Sequence, residues 1–296
     1  MTSLVDSRGK PGSKARVARI ERVVGRVLIY TILALGAILV MVPFAWTLST
    51  SLKSDKQVLE YPPSWTPDPP IWYNYVEIFE ARPFLLWYRN SLFISAVSLF
   101  GEVLSSAIVA YGFARLRFKA RNIMFFILLS TMIIPTHLLI VPRFVMFKVF
   151  GWLNTFRPLT IPSFFGSAFS IFLLRQYYMT IPLDLDDAAK IDGAGQFQIF
   201  WRIVLPLSRP ALGAVAIFQF MSSWRDFTGP LIYLSSEKNY TLPLGLYTYQ
   251  ADYFPEWNLF MAASVIAMIL PIVVFFIAQK YFIGGLALVG TGGMKG

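Results

Sequence analysis

Six long apolar runs alternate with short polar segments along the chain. Crossing a hydrocarbon core of about 30 Å takes roughly 20 apolar residues in a helix, so each run is read as a membrane span. The first covers 27–48 without a charge, and the second covers 91–114 with Glu102 as its one charge. The third, 123–147, contains Pro135, His137, Pro142 and Arg143. The fourth covers 159–178, the fifth 210–234 and the sixth 259–283. The expected fold is an all-α membrane protein with three parts: a basic segment at 1–26, a six-span domain at 27–283 with a polar loop at 184–209, and a Gly-rich tail at 284–296.

Lysine and arginine flanking a span are retained on the cytoplasmic side. Arg8, Lys10, Lys14, Arg16, Arg19, Arg22 and Arg26 precede the first run, and Arg115, Arg117, Lys119 and Arg121 lie between the second and third. Both segments therefore face inward, and an even number of spans returns the C-terminus to the same side. The loop at 184–209 is then cytoplasmic too. The long basic region and the long first run do not fit a cleaved secretory signal, so the first span is expected to stay as an anchor.

Composition agrees with this class: 56% of residues are hydrophobic and 14% charged, with a mean hydropathy of +0.59, too apolar for an ordinary soluble domain. The formal net charge of +10 is mostly the topological signal, and its residues form no aromatic-interleaved patch of the kind that holds nucleic acid. There is no cysteine, which excludes disulfides and thiolate chemistry. His137 stands alone, so a packed or backbone-bonded role is expected rather than a metal site. No phosphate-binding loop and no Ser/His/Asp set is present, so no catalytic residue is assigned and ATP cannot be bound and split by that route. Asp186 and Asp187 are adjacent, and neighbours on a helix diverge by about 100°.

The loop at 184–209 differs from the other connections. Asp184, Asp186 and Asp187 after Pro182 mark the start of a short helix, where negative charge favours the exposed N–H groups. Ala188 and Ala189 leave a shallow surface, and Gly193 suits a turn to a second short helix. Phe197, Phe200, Trp201 and Val204 then recur at i, i+3, i+4 and i+7, the spacing of one apolar helical face. Leu205-Pro206-Leu207 ends that helix, with Ser208 as a cap and Pro210 in the opening turn of the fifth span. An amphipathic helix lying on lipid headgroups is the plain alternative, but its acidic residues would be repelled by an anionic leaflet. They suit a protein partner better.

Asp187-Ala188-Ala189 with Gly193, followed after nine residues by Ile203-x-Leu205-Pro206, resembles the EAA loop of permease subunits in binding-protein-dependent ATP-binding-cassette importers. The family's usual glutamate is Asp187 here. Tyr61-Pro62-Pro63-Ser64-Trp65, Asn90-Ser91, Ala110-Tyr111-Gly112-Phe113-Ala114-Arg115, Thr241-Leu242-Pro243-Leu244-Gly245-Leu246 and the tail ending Met294-Lys295-Gly296 extend the likeness over nearly the whole chain, to the carbohydrate-importing branch. The resemblance implies a coupling helix that docks on an ATPase subunit through Asp187, Ala188, Ala189, Asp192, Gly193, Ile203, Leu205 and Pro206. It also implies two copies of that ATPase, which hold the ATP and Mg, a second homologous permease, and an extracytoplasmic solute-binding protein. The setting is a bacterial or archaeal cytoplasmic membrane.

By the same likeness, the loop at 235–258 faces the binding protein with Tyr240, Tyr247, Tyr249 and Tyr253, while Trp257 suits an aromatic belt. The tail at 292–296 reaches between the ATPase subunits. Glu102, Arg143, Arg225 and Asp226 lie in or near apolar runs, where a charge needs a partner or a water-filled path. Structural pairing between helices is expected ahead of solute contact. Glycerophosphodiesters or polyols are alternative cargoes. An ion-coupled secondary transporter would need midplane carboxylates and repeated halves, neither of which is evident, and a membrane scaffold would keep the docking loop without flux.

Overall fold

The computed structural model describes residues 13–251 and 255–291, with side chains for 21–251 and 255–279. The described residues are helical, with no strand. Four helices are long and apolar enough to cross a membrane: Glu21–Thr50, Phe84–Arg115, Arg157–Thr180 and Trp257–Gln279. Two bent pairs bring the number to as many as six: Arg121–Ile133 with Thr136–Val149 at 91°, and Gln196–Leu207 with Arg209–Trp224 at 77°.

The bends correct the expected runs. The third run does not form one helix, because Ile134 is extended (φ −75°, ψ 115°) ahead of Pro135, which lacks an N–H and disfavours helix in the residue before it. The fifth stops at Trp224 and restarts as Thr228–Tyr233. The last helix, Trp257–Thr291, continues past residue 283, so part of the expected tail is helical; residues 292–296 lie outside the described residues. The segment at 235–258 is not an open loop, since it carries the helix Leu242–Ala251.

Two buried clusters organise the helices. One joins Ala107, Ala110, Tyr111, Ile171, Leu174, Tyr178, Ile199, Phe200, Val204, Ala211 and Val215. The other joins Ile78, Phe84, Trp87, Phe220, Trp224, Leu242, Tyr249, Leu259, Ala262 and Ala263. Lipid tails are as apolar as leucine, so helices in a bilayer are held by close packing, which small residues permit. Gly245 shows how close: a Cβ there would sit 2.1 Å from the Trp87 ring. The first helix is different, for Leu33, Leu35, Ile38 and Leu39 are all exposed. An apolar helix of this length with so much of its surface uncovered suits a bilayer.

Candidate functional site

The polar loop folds as the short helix Asp184–Ile191, a turn, and a second helical stretch from Gln196 to Leu207. Gly193 takes φ +82°, the left-handed region that glycine enters freely. Its N–H donates to Lys190 O at 3.0 Å and that of Ala194 to Ala189 O at 2.9 Å, closing the helix end. No side chain caps the other end, at Leu183, so the expected capping by the carboxylates is not made.

Asp186 turns inward instead. It is buried and lies 3.6 Å from Arg115, whose Nη2 donates to Ile181 O at 2.8 Å. Tyr111 Oη donates to Gln196 Oε1 at 2.9 Å, and its ring packs on Phe200 with centroids 5.1 Å apart. Ala189, Ala194 and Leu205 rest on the same cluster. One face of the loop is thereby fixed to the end of the Phe84–Arg115 helix.

The opposite face is open. Asp187, Ala188, Asp192, Gly193 and Pro206 are exposed, while Ala189, Ile203 and Leu205 are half-buried. Asp187 accepts from Lys190 Nζ at 2.8 Å, and this hydrogen bond, with the ammonium charge, holds its carboxyl below the ordinary value. It is an ionised, solvent-facing carboxylate.

The expected apolar face is re-sorted. Residues Phe200–Val204 form a π-turn, whose i→i+5 bonding brings Ile199 and Val204 to the same side. Ile199, Phe200 and Val204 are buried, whereas Phe197 and Trp201 stack on each other at 6.2 Å and 14° and stay exposed. Ser208 does not cap the next helix, because its Oγ donates back to Val204 O at 2.6 Å.

The charges in the apolar runs separate by role. Glu102 is buried and accepts from Ser167 N at 2.9 Å and from Ser106 Oγ at 3.3 Å, so it ties the Phe84–Arg115 helix to the start of Ala168–Thr180. Asp226 accepts from Gly229 N at 3.0 Å and caps the short helix Thr228–Tyr233. Arg225 is exposed; its N–H closes the Arg209–Trp224 helix on Met221 O at 3.3 Å, and its side chain makes no hydrogen bond or ion pair among the described residues. Asp226 also lines two cavities, of about 430 and 350 Å³, together with Thr136, Arg143 and Leu159. His137 lies exposed in the turn Thr136–Leu139 and faces the first of them; the helix break unpacks it, contrary to the packed role expected.

A family described as binding-protein-dependent transport system inner membrane component matches residues 102–287. The chain belongs to this family. The arabinooligosaccharide transport system permease protein AraQ of Bacillus subtilis is 34% identical over 263 residues, 88% of this chain and 92% of that protein. GanQ, the galactooligosaccharide permease protein of the same organism, is 32% identical over 281 residues, 93% and 98% of the two chains. The sn-glycerol-3-phosphate permease protein UgpE of Yersinia pestis is 31% identical over 265 residues, 87% and 94%. Among solved structures, a chain of a bacterial ABC transporter that imports the acidic polysaccharide alginate shares the fold, with a TM-score of 0.78 at 24% identity over 92% of this chain and 100% of that one.

In this transport component the far end of the molecule is also closely tied. Asn90 Nδ2 donates to Lys238 O at 2.9 Å and Tyr240 O at 3.0 Å, Trp87 Nε1 donates to Glu237 O at 3.1 Å, and Leu242 N donates to Ser91 Oγ at 2.7 Å. The Asn90-Ser91 pair thus anchors the 237–242 segment. Of the four tyrosines expected to face a partner, Tyr249 is fully buried, with its Oη donating to Ile78 O at 3.2 Å, which removes it from any surface. Tyr240 is half-buried, and Tyr247 is exposed with its ring 5.4 Å from Phe227. Tyr253 lies outside the described residues.

Sequence reasoning missed the Arg115–Asp186 pair, because Arg115 entered as a signal of membrane orientation and as the end of a family motif, not as a partner for the loop. A usable signal existed in the loop: Asp186 and Ala189 sit at i and i+3, the inner side of the short helix, while 187, 188, 191 and 192 share the outer side.

Proposed function

We propose that the chain is a six-span permease subunit, with both termini cytoplasmic, of an ATP-driven importer for a sugar delivered by an extracytoplasmic binding protein. It would reside in the cytoplasmic membrane of a bacterium or archaeon and form half of the pathway with a second permease. Two ATPase subunits would hold ATP and Mg, and this chain would hold neither. The carrying observation is the two-faced short helix. One side is buried against Arg115 and the first apolar cluster, and the other leaves Asp187, Ala188, Asp192 and Gly193 exposed. A helix fixed on one side and open on the other transmits a rigid displacement, here from ATPase closure to the spans. Relatives named for arabinooligosaccharide and galactooligosaccharide transport support a sugar as cargo. The glycerol-3-phosphate relative keeps small phosphate esters as the competing one.

The test is uptake and ATP hydrolysis in proteoliposomes containing the co-purified complex and its binding protein, with arabinotriose, galactotriose and sn-glycerol 3-phosphate as cargoes. Gly193→Pro serves as the uncoupled control, since proline fixes φ near −65° where the turn needs a positive value. Uptake of a trisaccharide that Gly193→Pro abolishes is the expected result. Absence of any co-purifying ATPase, or unchanged transport in the variant, refutes the reading and moves an ion-coupled carrier forward.

A further inference from the structure

The two helix breaks inside the apolar runs meet at one place. Thr136 follows the turn at Pro135, Asp226 lies between Trp224 and Thr228, and both line the cavity of about 350 Å³. Backbone that leaves the helix at membrane depth survives only where protein buries it or where it borders a wet cavity. Arg143, Gln219, Ser222 and Ser223 complete the polar lining. Thr241 lines the cavity as well, and its buried Oγ1 has no hydrogen-bond partner, a debt that a native fold rarely leaves open.

We propose that this cavity is a cargo-contact site for neutral polyhydroxylated solutes, contributed by this chain to the translocation pathway. The proposal rests on the importer reading above and narrows its cargo. Each sugar hydroxyl both donates and accepts, and the lining offers both: guanidinium, amide and hydroxyl donors, with the Asp226 carboxylate and the hydroxyl oxygens as acceptors. Asp226 accepts from the backbone at Gly229 N, which holds the carboxylate in place at the cavity wall, where its remaining lone pairs can accept from a solute hydroxyl. Arg143 and Asp226 balance in charge. A phosphate ester would gain Arg143 but meet Asp226, and desolvating two like charges together is costly. The site therefore selects sugars over anionic solutes of similar size.

The absence of cysteine in the chain makes single thiols informative. Ser223→Cys, and Ser222→Cys as the second variant, are introduced into the complete complex and labelled with a water-soluble methanethiosulfonate, with this chain separated afterwards. Arabinotriose, galactotriose and sn-glycerol 3-phosphate serve as protecting probes, and uptake of each by the wild-type complex is measured in parallel. Both thiols are expected to react, and an imported trisaccharide at about ten times its half-protecting concentration slows the reaction about tenfold. Glycerol 3-phosphate gives no protection. Asp226→Asn keeps an oxygen for Gly229 N and raises the half-protecting concentration about tenfold.

Unreactive thiols, or reaction unaffected by a sugar that the wild type imports, overturn the site while leaving the importer reading intact. Equal protection by glycerol 3-phosphate overturns the charge selection. A wild-type complex that imports none of the three refutes the sugar-importer reading, and the proposal with it.

Discussion

Severing the Arg115–Asp186 pair is the perturbation with the largest expected effect. Both side chains are buried, at 2% and 6% exposure, with 3.6 Å between their charged atoms. At a charge separation of about 4 Å and an effective dielectric near 20, their attraction is about 4 kcal/mol. Desolvation offsets much of that, so the pair contributes little net stability relative to apolar side chains of the same size. The cost appears when one partner is left alone. Arg115→Met strands Asp186, whose Oδ1 already lacks a hydrogen-bond partner, and is expected to cost about 3–5 kcal/mol. Asp186→Leu is expected near the lower end, about 3 kcal/mol, because Arg115 keeps its bond to Ile181 O. The double variant Arg115→Met/Asp186→Leu removes both charges but leaves Ile181 O without its donor, so it should recover most of the loss and stay about 1–2 kcal/mol below the parent. Thermal unfolding of the detergent-purified complex reads this as losses of about 5–15 °C for the single variants and recovery of most of that loss in the double. Single variants that shift the midpoint by less than about 2 °C, or a double variant as unstable as their sum, would refute the account of the buried pair.

Gly245→Ala places a methyl group against the Trp87 ring and should destabilise the complex by about 1–3 kcal/mol, seen as a lower unfolding midpoint; an unchanged midpoint would contradict the packing described. Glu102→Ala strips Ser167 N and Ser106 Oγ of their acceptor and should cost about 1–3 kcal/mol by the same measurement, with Glu102→Gln recovering part of it. Lys53 is buried, donates to Ser64 O and lies 4.3 Å over the Trp46 ring. Lys53→Met keeps the stem but orphans that carbonyl, so protease cleavage within 54–73 should quicken about tenfold for a loss near 1.4 kcal/mol, and equal cleavage rates would remove the anchoring role.

The features legible in the sequence were those written in neighbouring residues. Uninterrupted apolar length marked the first, second and last long helices. The short acidic helix, its end at Asp192 and the positive φ of Gly193 followed from local chemistry. What failed required contacts between distant segments or a departure from regular helix. Pro135 announced a disturbance, yet a proline alone does not specify a 91° bend. The i, i+3, i+4, i+7 pattern at Phe197 presumed 3.6 residues per turn, and the π-turn at Phe200–Val204 moved Phe197 and Trp201 out of the core. Tyr249 carries a hydroxyl that suits a surface as well as an interior. Only the carbonyl of Ile78, far away in sequence, decides between them.

On the proposed importer reading, the two buried clusters give motion at the loop a route past the cavity. Within the first cluster, Ala107, Ala110 and Tyr111 belong to the Phe84–Arg115 helix, and Ala211 and Val215 to Arg209–Trp224. The same two helices supply Phe84, Trp87, Phe220 and Trp224 to the second. Both are continuous between the clusters, and both border the cavity, through Ile94 on one and Gln219, Ser222 and Ser223 on the other. The breaks fall elsewhere, at Pro135 and just beyond Trp224. Packed interiors respond to a push by shifting as units rather than by deforming continuously. A displacement of the Asp184–Ile191 helix, passed through Arg115 to the Phe84–Arg115 helix, would therefore be carried toward Trp87 and the Asn90-bound 237–242 segment. On the proposed importer reading, relative movement between these two helices and the segments beyond the breaks would open and close the space between them.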